Sequence, residues 1–202
     1  MGHALVVVSA TEMEILPTVE RYRLKRTSFG FGDDELQIWI TGVGAVNTAL
    51  KTAFFAQKYG PGRLWINVGV AGAYDVRTSL AEVWEVTRER YGDVGAETDE
   101  GFASARELGF ALTEYDDDVL LNPRPYGKLR CGAGLTVQTC SGNEETIRLR
   151  RGKFNADLET MEGAAFFQSA LWHDVPFYAF RAVSNHVVPR RSQTWKIRQA
   201  VE

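Results

Sequence analysis

Short β-branched runs alternate with helix-length segments along most of this chain, an order that implies a sheet layered between helices. Residues 5–9, LVVVS, form the first run. An acid-rich helix start follows over 11–22, which Pro17 should shorten or bend. Residues 36–41 read as a second strand, Gly42 and Gly44 as a tight turn, and 46–59 as an amphipathic helix stopped by Gly60-Pro61-Gly62. The strand signal returns at 64–68, where Gly69 and Gly72 punctuate it. It appears again at 82–87, as a more exposed strand in which acids alternate with Val83, Trp84 and Val86. A further strand is expected over 131–139. Ser141-Gly142-Asn143-Glu144 has the Ser-x-x-Glu form of a capping box and predicts a short helix to Arg151, ended by Gly152. Residues 160–173 have the spacing of a buried helix that feeds a strand at 177–183. Residues 91–125, with glycines and the acidic group 116–118, read as a lid or irregular connection. The sum is an α/β fold, a three-layer αβα sandwich with its ligand crevice at strand ends.

At 202 residues the chain fits a single domain, 1–202, with one substantial core. Apolar residues make up 45% and charged residues 24%, the balance of a soluble globular protein, and no apolar stretch is long enough to span a bilayer. Met1-Gly2-His3 running straight into a strand lacks the pattern of a secretory signal, and His3 fits a cloning scar. The net charge is -3 and the basic residues are scattered apart from groups such as Arg148, Arg150 and Arg151, which argues against a nucleic-acid partner. Cys131 and Cys140 have neither metal-ligand spacing nor a nearby histidine, so no metal is expected and a reducing, cytoplasmic location is the simplest reading.

Four segments can carry chemistry. In Ala10-Thr11-Glu12-Met13-Glu14 the acids suit the dipole of a first helical turn, or a carboxylate at a strand end that takes a proton from water. The glycines of Asn67-Val68-Gly69-Val70-Ala71-Gly72-Ala73 permit a bend, or let a flat ring approach the backbone. In Met161-Glu162-Gly163, Met161 fills a core and Glu162 pairs with a cation such as Arg181. Alternatively, the carboxylate accepts both hydroxyls of a ribose while the thioether packs on the sugar. In Arg181-Ala182-Val183-Ser184-Asn185 the last two residues are turn-formers or caps, or Asn185 reads a purine edge.

Together and in this order, these segments resemble the purine nucleosidase/nucleoside phosphorylase superfamily, from the first strand to about Arg191. "SATEMEI" resembles the amino-terminal segment of methylthioadenosine/adenosylhomocysteine nucleosidases, "NVGVAGAY" their base-and-sugar loop and "MEGAA" their ribose-binding helix. A narrower resemblance, carried by "YGDVGAE", "MEGAAFF", "RAVSNHVVPR" and Trp195, is to the futalosine hydrolase family of an alternative menaquinone pathway. The resemblance implies a nucleoside phosphorylase-like sandwich around a twisted mixed sheet. It also implies hydrolysis of a purine nucleoside by water, without metal or cofactor. Glu14 would activate the water and Glu162 would hold the ribose hydroxyls. Met161 would pack beside the sugar, Ala71 and Gly72 would line the base pocket, and Asn185, with Ser184 beside it, would hold the N7/O6 edge of the purine. It further implies a homodimer or higher homo-oligomer in which a neighbour's loop, here 91–102, helps close the site. Adenine-releasing relatives have an aspartate in place of Asn185, an aromatic near 143–145 and a serine in place of Val70. Either the base is held differently or Phe102, Phe154 or Trp195 supplies the stacking surface.

Cleaving an N-glycosidic bond puts positive character on the sugar and negative charge on the base, so both ends need stabilising. Adenine leaving with N7 protonated presents two donors and calls for two acceptors, as an aspartate provides. Hypoxanthine leaves with an N7-H donor and an O6 acceptor, which an asparagine matches. Asn185 therefore points to a 6-oxopurine, although an amide can also pair with neutral adenine. An aminopurine nucleosidase and a non-catalytic nucleoside binder are the alternatives. A phosphorylase would need a cationic phosphate pocket where this chain carries Glu12 and Glu14.

Overall fold

The computed structural model describes residues 5–33, 35–99, 101–114, 118–190 and 195–202; the expectations for His3 and for 116–117 lie outside them. In chain order the elements are β1 (Leu5–Ser9), α1 (Glu12–Tyr22), β2 (Lys25–Arg26), β3 (Gly30–Gly32), β4 (Leu36–Ile40), α2 (Ala45–Tyr59), β5 (Trp65–Ala73) and β6 (Val83–Tyr91). There follow β7 (Gly95–Thr98), β8 (Gly101–Ser104), β9 (Leu120–Leu121), β10 (Arg130–Thr136), α3 (Glu144–Phe154), β11 (Leu158–Thr160), α4 (Gly163–Trp172), β12 (Phe177–His186) and α5 (Ile197–Val201). Ten strands form one mixed sheet in the order β11-β10-β6-β12-β5-β1-β4-β3-β2, with β9 on β6. β1, β4, β5 and β12 run parallel, whereas β6 is antiparallel to β12. Because β11 pairs with β5 as well as β10, the strands β5, β12, β6, β10 and β11 close into a ring.

The unbroken apolar run of β1 is explained by burial of both its faces. Val6 and Val8 pack with Trp39, Phe55, Trp65 and Phe166, while Val7 packs with Ile15, Val19 and Ile38. α2 and α4 therefore cover one face and α1 the other, giving an α/β sandwich. At ten residues α4 would be marginal alone. Full burial of Phe166 and Phe167, about 1.5–3 kcal/mol each, holds it in place.

Several elements depart from the sequence expectations. α1 runs through Pro17 to Tyr22, because proline removes one intrahelical donor there while Ile15 and Val19 anchor both sides of it in the core. β5 continues through Gly69 and Gly72, and β12 continues through Ser184 and Asn185. β6 is longer and buried rather than exposed: Glu85 and Glu89 are fully enclosed. Glu85 is satisfied by the Tyr126 and Gly127 amides at 2.6 and 2.7 Å. Asn143, not Ser141, caps α3 by accepting from the Thr146 amide at 2.8 Å, and the helix passes Gly152 to end at Asn155 in the left-handed region. The helix expected from 160 begins at Gly163, because Thr160 ends the strand β11, which pairs with both β10 and β5. Part of 91–125 is ordered as the β7-β8 hairpin and as β9.

Candidate active site

The candidate site forms where β1, β5, β11 and β12 end. Glu14 lies in the first turn of α1, where Thr11 and Glu14 cap each other: Glu14 Oε2 accepts from the Thr11 amide and hydroxyl, both at 2.9 Å. Its Oε1 accepts from the Val70 amide at 3.2 Å, tying α1 to β5. The capping reading of this acid therefore holds.

Glycines on β5 make the approach possible. A methyl on Gly69 would lie 2.9 Å from Glu14 Oε1, and one on Gly72 would lie 3.0 Å from Asn185 Nδ2. Three residues of strand, about 10 Å, separate the two glycines. Asn185 is aimed by an irregularity: the β12–β5 register shifts between Val183 and Asn185, so Ser184 is the extra residue of a bulge. The Ser184 hydroxyl donates to Asn185 Oδ1 at 2.8 Å, and Asn185 Nδ2 donates to the His186 carbonyl at 3.2 Å.

Glu162 sits at the N-cap of α4, and its Oε1 accepts from the Gly44 amide at 2.8 Å. Gly44 presents that amide from φ +94°, a conformation that L side chains rarely adopt. Burial raises the Glu162 carboxyl above its ordinary range, opposed by the Gly44 amide and by Arg181. A direct Glu162–Arg181 pair does not form. The Arg181 guanidinium is buried and donates to Asn67 Oδ1 and, at 2.9 Å, to the Phe180 carbonyl, so it acts on Glu162 through its field.

A cavity of about 270 Å³ collects Glu14, Gly72, Met161, Glu162, Ser184 and Asn185 in its lining. Ala71 is placed differently: its side chain packs in the main core and its carbonyl lies 3.3 Å from the Ser184 hydroxyl, while Val70 faces the cavity. Among the described residues Trp195 is the aromatic on the wall, whereas Phe102 and Phe154 pair with each other at 6.4 Å beside another cavity. Sequence reasoning missed Glu159, Thr160 and Cys140, which also line the site. Glu159 accepts from the Tyr74 hydroxyl and the Ser141 amide, both at 2.8 Å, and lies 3.6 Å from Arg150. Its signal was the acid three residues before Glu162, hidden by reading that stretch toward a helix.

Gly69 and Gly72 thus set a carboxylate and an amide about three strand residues apart, and Glu162 lines the same cavity. The phosphorylase superfamily pattern matches residues 4–202. Futalosine hydrolase of Thermus thermophilus is 34% identical over 170 residues, spanning 80% of this chain and 74% of that protein. The chain belongs to the phosphorylase superfamily, in its futalosine hydrolase family. A 5'-methylthioadenosine/S-adenosylhomocysteine nucleosidase of Listeria monocytogenes is 29% identical over 203 residues, covering 89% of this chain and 84% of that one. In three dimensions the native structure of futalosine hydrolase of Helicobacter pylori matches with a TM-score of 0.77 at 14% identity, over 94% of this chain and 87% of that one, and so shares the fold.

Proposed function

We propose that this chain, as a single nucleosidase domain, hydrolyses the N-glycosidic bond of futalosine in the cytoplasm, releasing hypoxanthine and dehypoxanthine futalosine on an alternative route to menaquinone. The observation that carries this reading is one cavity bearing Glu14 and Asn185, with no Lys or Arg among its described lining residues. Glu14, Glu159 and Glu162 line that cavity; Glu159 is taken up by Tyr74, Ser141 and Arg150, and the other two carboxylates oppose phosphate and favour water as the nucleophile.

Glu14 orients the water and takes its proton, help worth about 10²–10⁴ in rate. Glu162 accepts the ribose hydroxyls, Met161 packs beside the sugar, and Gly72 leaves room for the ring. Asn185 accepts N7-H and donates to O6, with Ser184 fixing the amide. Trp195 supplies an aromatic surface for the base. No group in this scheme calls for a metal or cofactor. Chromatography of futalosine with the purified protein, with and without phosphate, tests the scheme. Hypoxanthine release independent of phosphate is expected. Phosphate-dependent cleavage, adenine release from methylthioadenosine alone, or binding without base release would each replace it.

The working form is proposed to be a homodimer. Val46, Leu50 and Phe54 form an exposed apolar stripe at helical spacing on α2, and exposed Val43 continues it to the cavity wall.

A further inference from the structure

Glu89 on β6 is fully buried and takes no part in the proposed hydrolysis, yet the fold makes room for it: a methyl on either Gly134 or Gly163 would overlap its carboxyl. Two hydroxyls meet that carboxyl. Oε2 lies 2.9 Å from Thr136 Oγ1, Oε1 lies 3.2 Å from Thr160 Oγ1, and the two hydroxyls are 3.0 Å apart. Thr136 Oγ1 also accepts the Ala164 amide at 2.7 Å. Closing the three oxygen–oxygen contacts requires three hydrogens, and the threonines bring two. Both hydroxyls can donate to an ionised carboxylate, which leaves the 3.0 Å contact without a hydrogen, whereas a proton on Glu89 supplies the third and closes the ring in either sense.

We propose that Glu89 is held as a neutral carboxylic acid and is a positioning residue for Glu162. The ring grips Thr160, the last residue of β11, and Ala164, in the first turn of α4; Met161 and Glu162 hang between these two anchors. Burial pushes the Glu89 carboxyl up to about 7, against the pull of Arg181 and the two threonines and with added repulsion from Glu162. The titratable groups facing it are Arg181 from β12, Glu162 at the start of α4, and Tyr91 from β6, whose own hydroxyl burial and Glu89 push up to about 12. Loss of the Glu89 proton removes one ring hydrogen, draws on Arg181 and repels Glu162.

This inference rests on the nucleosidase reading for its kinetic arm only. Futalosine hydrolysis by the wild type, Glu89→Gln, Thr136→Ser and Thr136→Val is followed from about pH 6 to pH 8, beside infrared spectra of the protonated carboxyl band. Wild-type KM is expected to rise roughly tenfold across that window, with kcat changing less, as the ring proton is lost. Glu89→Gln, whose amide donates to one hydroxyl and accepts from the other, should keep the low KM at both ends. Thr136→Ser should follow the wild type, and Thr136→Val should start at a raised KM. The wild-type infrared band should fade over the same window and be shifted in Thr136→Val. A pH profile unchanged in Glu89→Gln, a flat wild-type KM, or a wild-type carboxyl band absent at pH 6 would overturn the proposal. A wild-type protein that releases no hypoxanthine but shows the band would sink the nucleosidase reading and leave the neutral acid standing.

Discussion

Asn185 spends half of its hydrogen-bonding capacity on the protein: one lone pair accepts from Ser184 and one amide hydrogen goes to the His186 carbonyl. The remaining lone pair and hydrogen match N7-H and O6 of a departing hypoxanthine. Asn185→Asp removes the donor, and a mismatched buried polar group costs about 1–3 kcal/mol, so kcat/KM for futalosine should fall roughly 10- to 100-fold while 6-amino nucleosides gain. A substrate panel compared between the two proteins checks this. At the opposite end, Glu14→Gln keeps the shape of the cap and loses the proposed base. Its kcat is expected to drop about 10²–10⁴-fold with KM little changed, read by steady-state kinetics. These two residue types were legible in the sequence because acid and amide chemistry is local to a side chain. The packing of Ala71 into the core and the presence of Glu159 at the wall were not, since both depend on which face of a strand meets which neighbour.

Among the elements, β5 and α3 carry glycines of opposite meaning. Gly72 is in a strand interior because a methyl there would come 2.9 Å from Val187 Cγ2 and 3.0 Å from Asn185 Nδ2. Gly72→Ala should therefore displace the amide and lower kcat/KM. Gly152 lies inside α3 with nothing within 4 Å of its would-be methyl, so the strand argument does not apply to it. Gly152→Ala should stabilise the protein by about 0.5–1 kcal/mol through helix propensity, raising Tm without changing turnover. Thermal melts and kinetics of the two variants separate the effects. Strand and helix identities were mostly readable from apolar spacing, but their ends were not. β5 and β12 run past glycine, serine and asparagine because pairing with neighbours outweighs local turn preference, and 158–160 is a strand because two other strands flank it.

For the molecule as a whole, the buried acid links stability to pH. Folded Glu89 keeps its proton to about pH 7, whereas an ordinary glutamate releases it near 4.5, so between those values the folded state binds more protons than the unfolded. Its contribution is complete below about 4.5 and is lost as pH rises toward 7, about 3 kcal/mol at roughly 1.4 kcal/mol per pH unit. Denaturant titrations across that window should show the decline in the wild type and its absence in Glu89→Gln. The proposed dimer belongs to the same scale: light scattering should give twice the chain mass, and Leu50→Glu should return the monomer.

Residue order alone determined the alternation of strands and helices and the apolar runs that must be buried, and it offered the acid and the amide proposed for the two ends of a glycosidic bond, because these follow from backbone periodicity and side-chain chemistry. Only tertiary structure decided that β6 lies inside the protein, that its Glu89 sits under the site between two glycines, and that a bulge at Ser184 turns Asn185 toward the cavity holding Glu14. The reason is physical: burial, register and proton sharing are relations between segments far apart in the chain, and a local stretch of sequence carries no record of its partner.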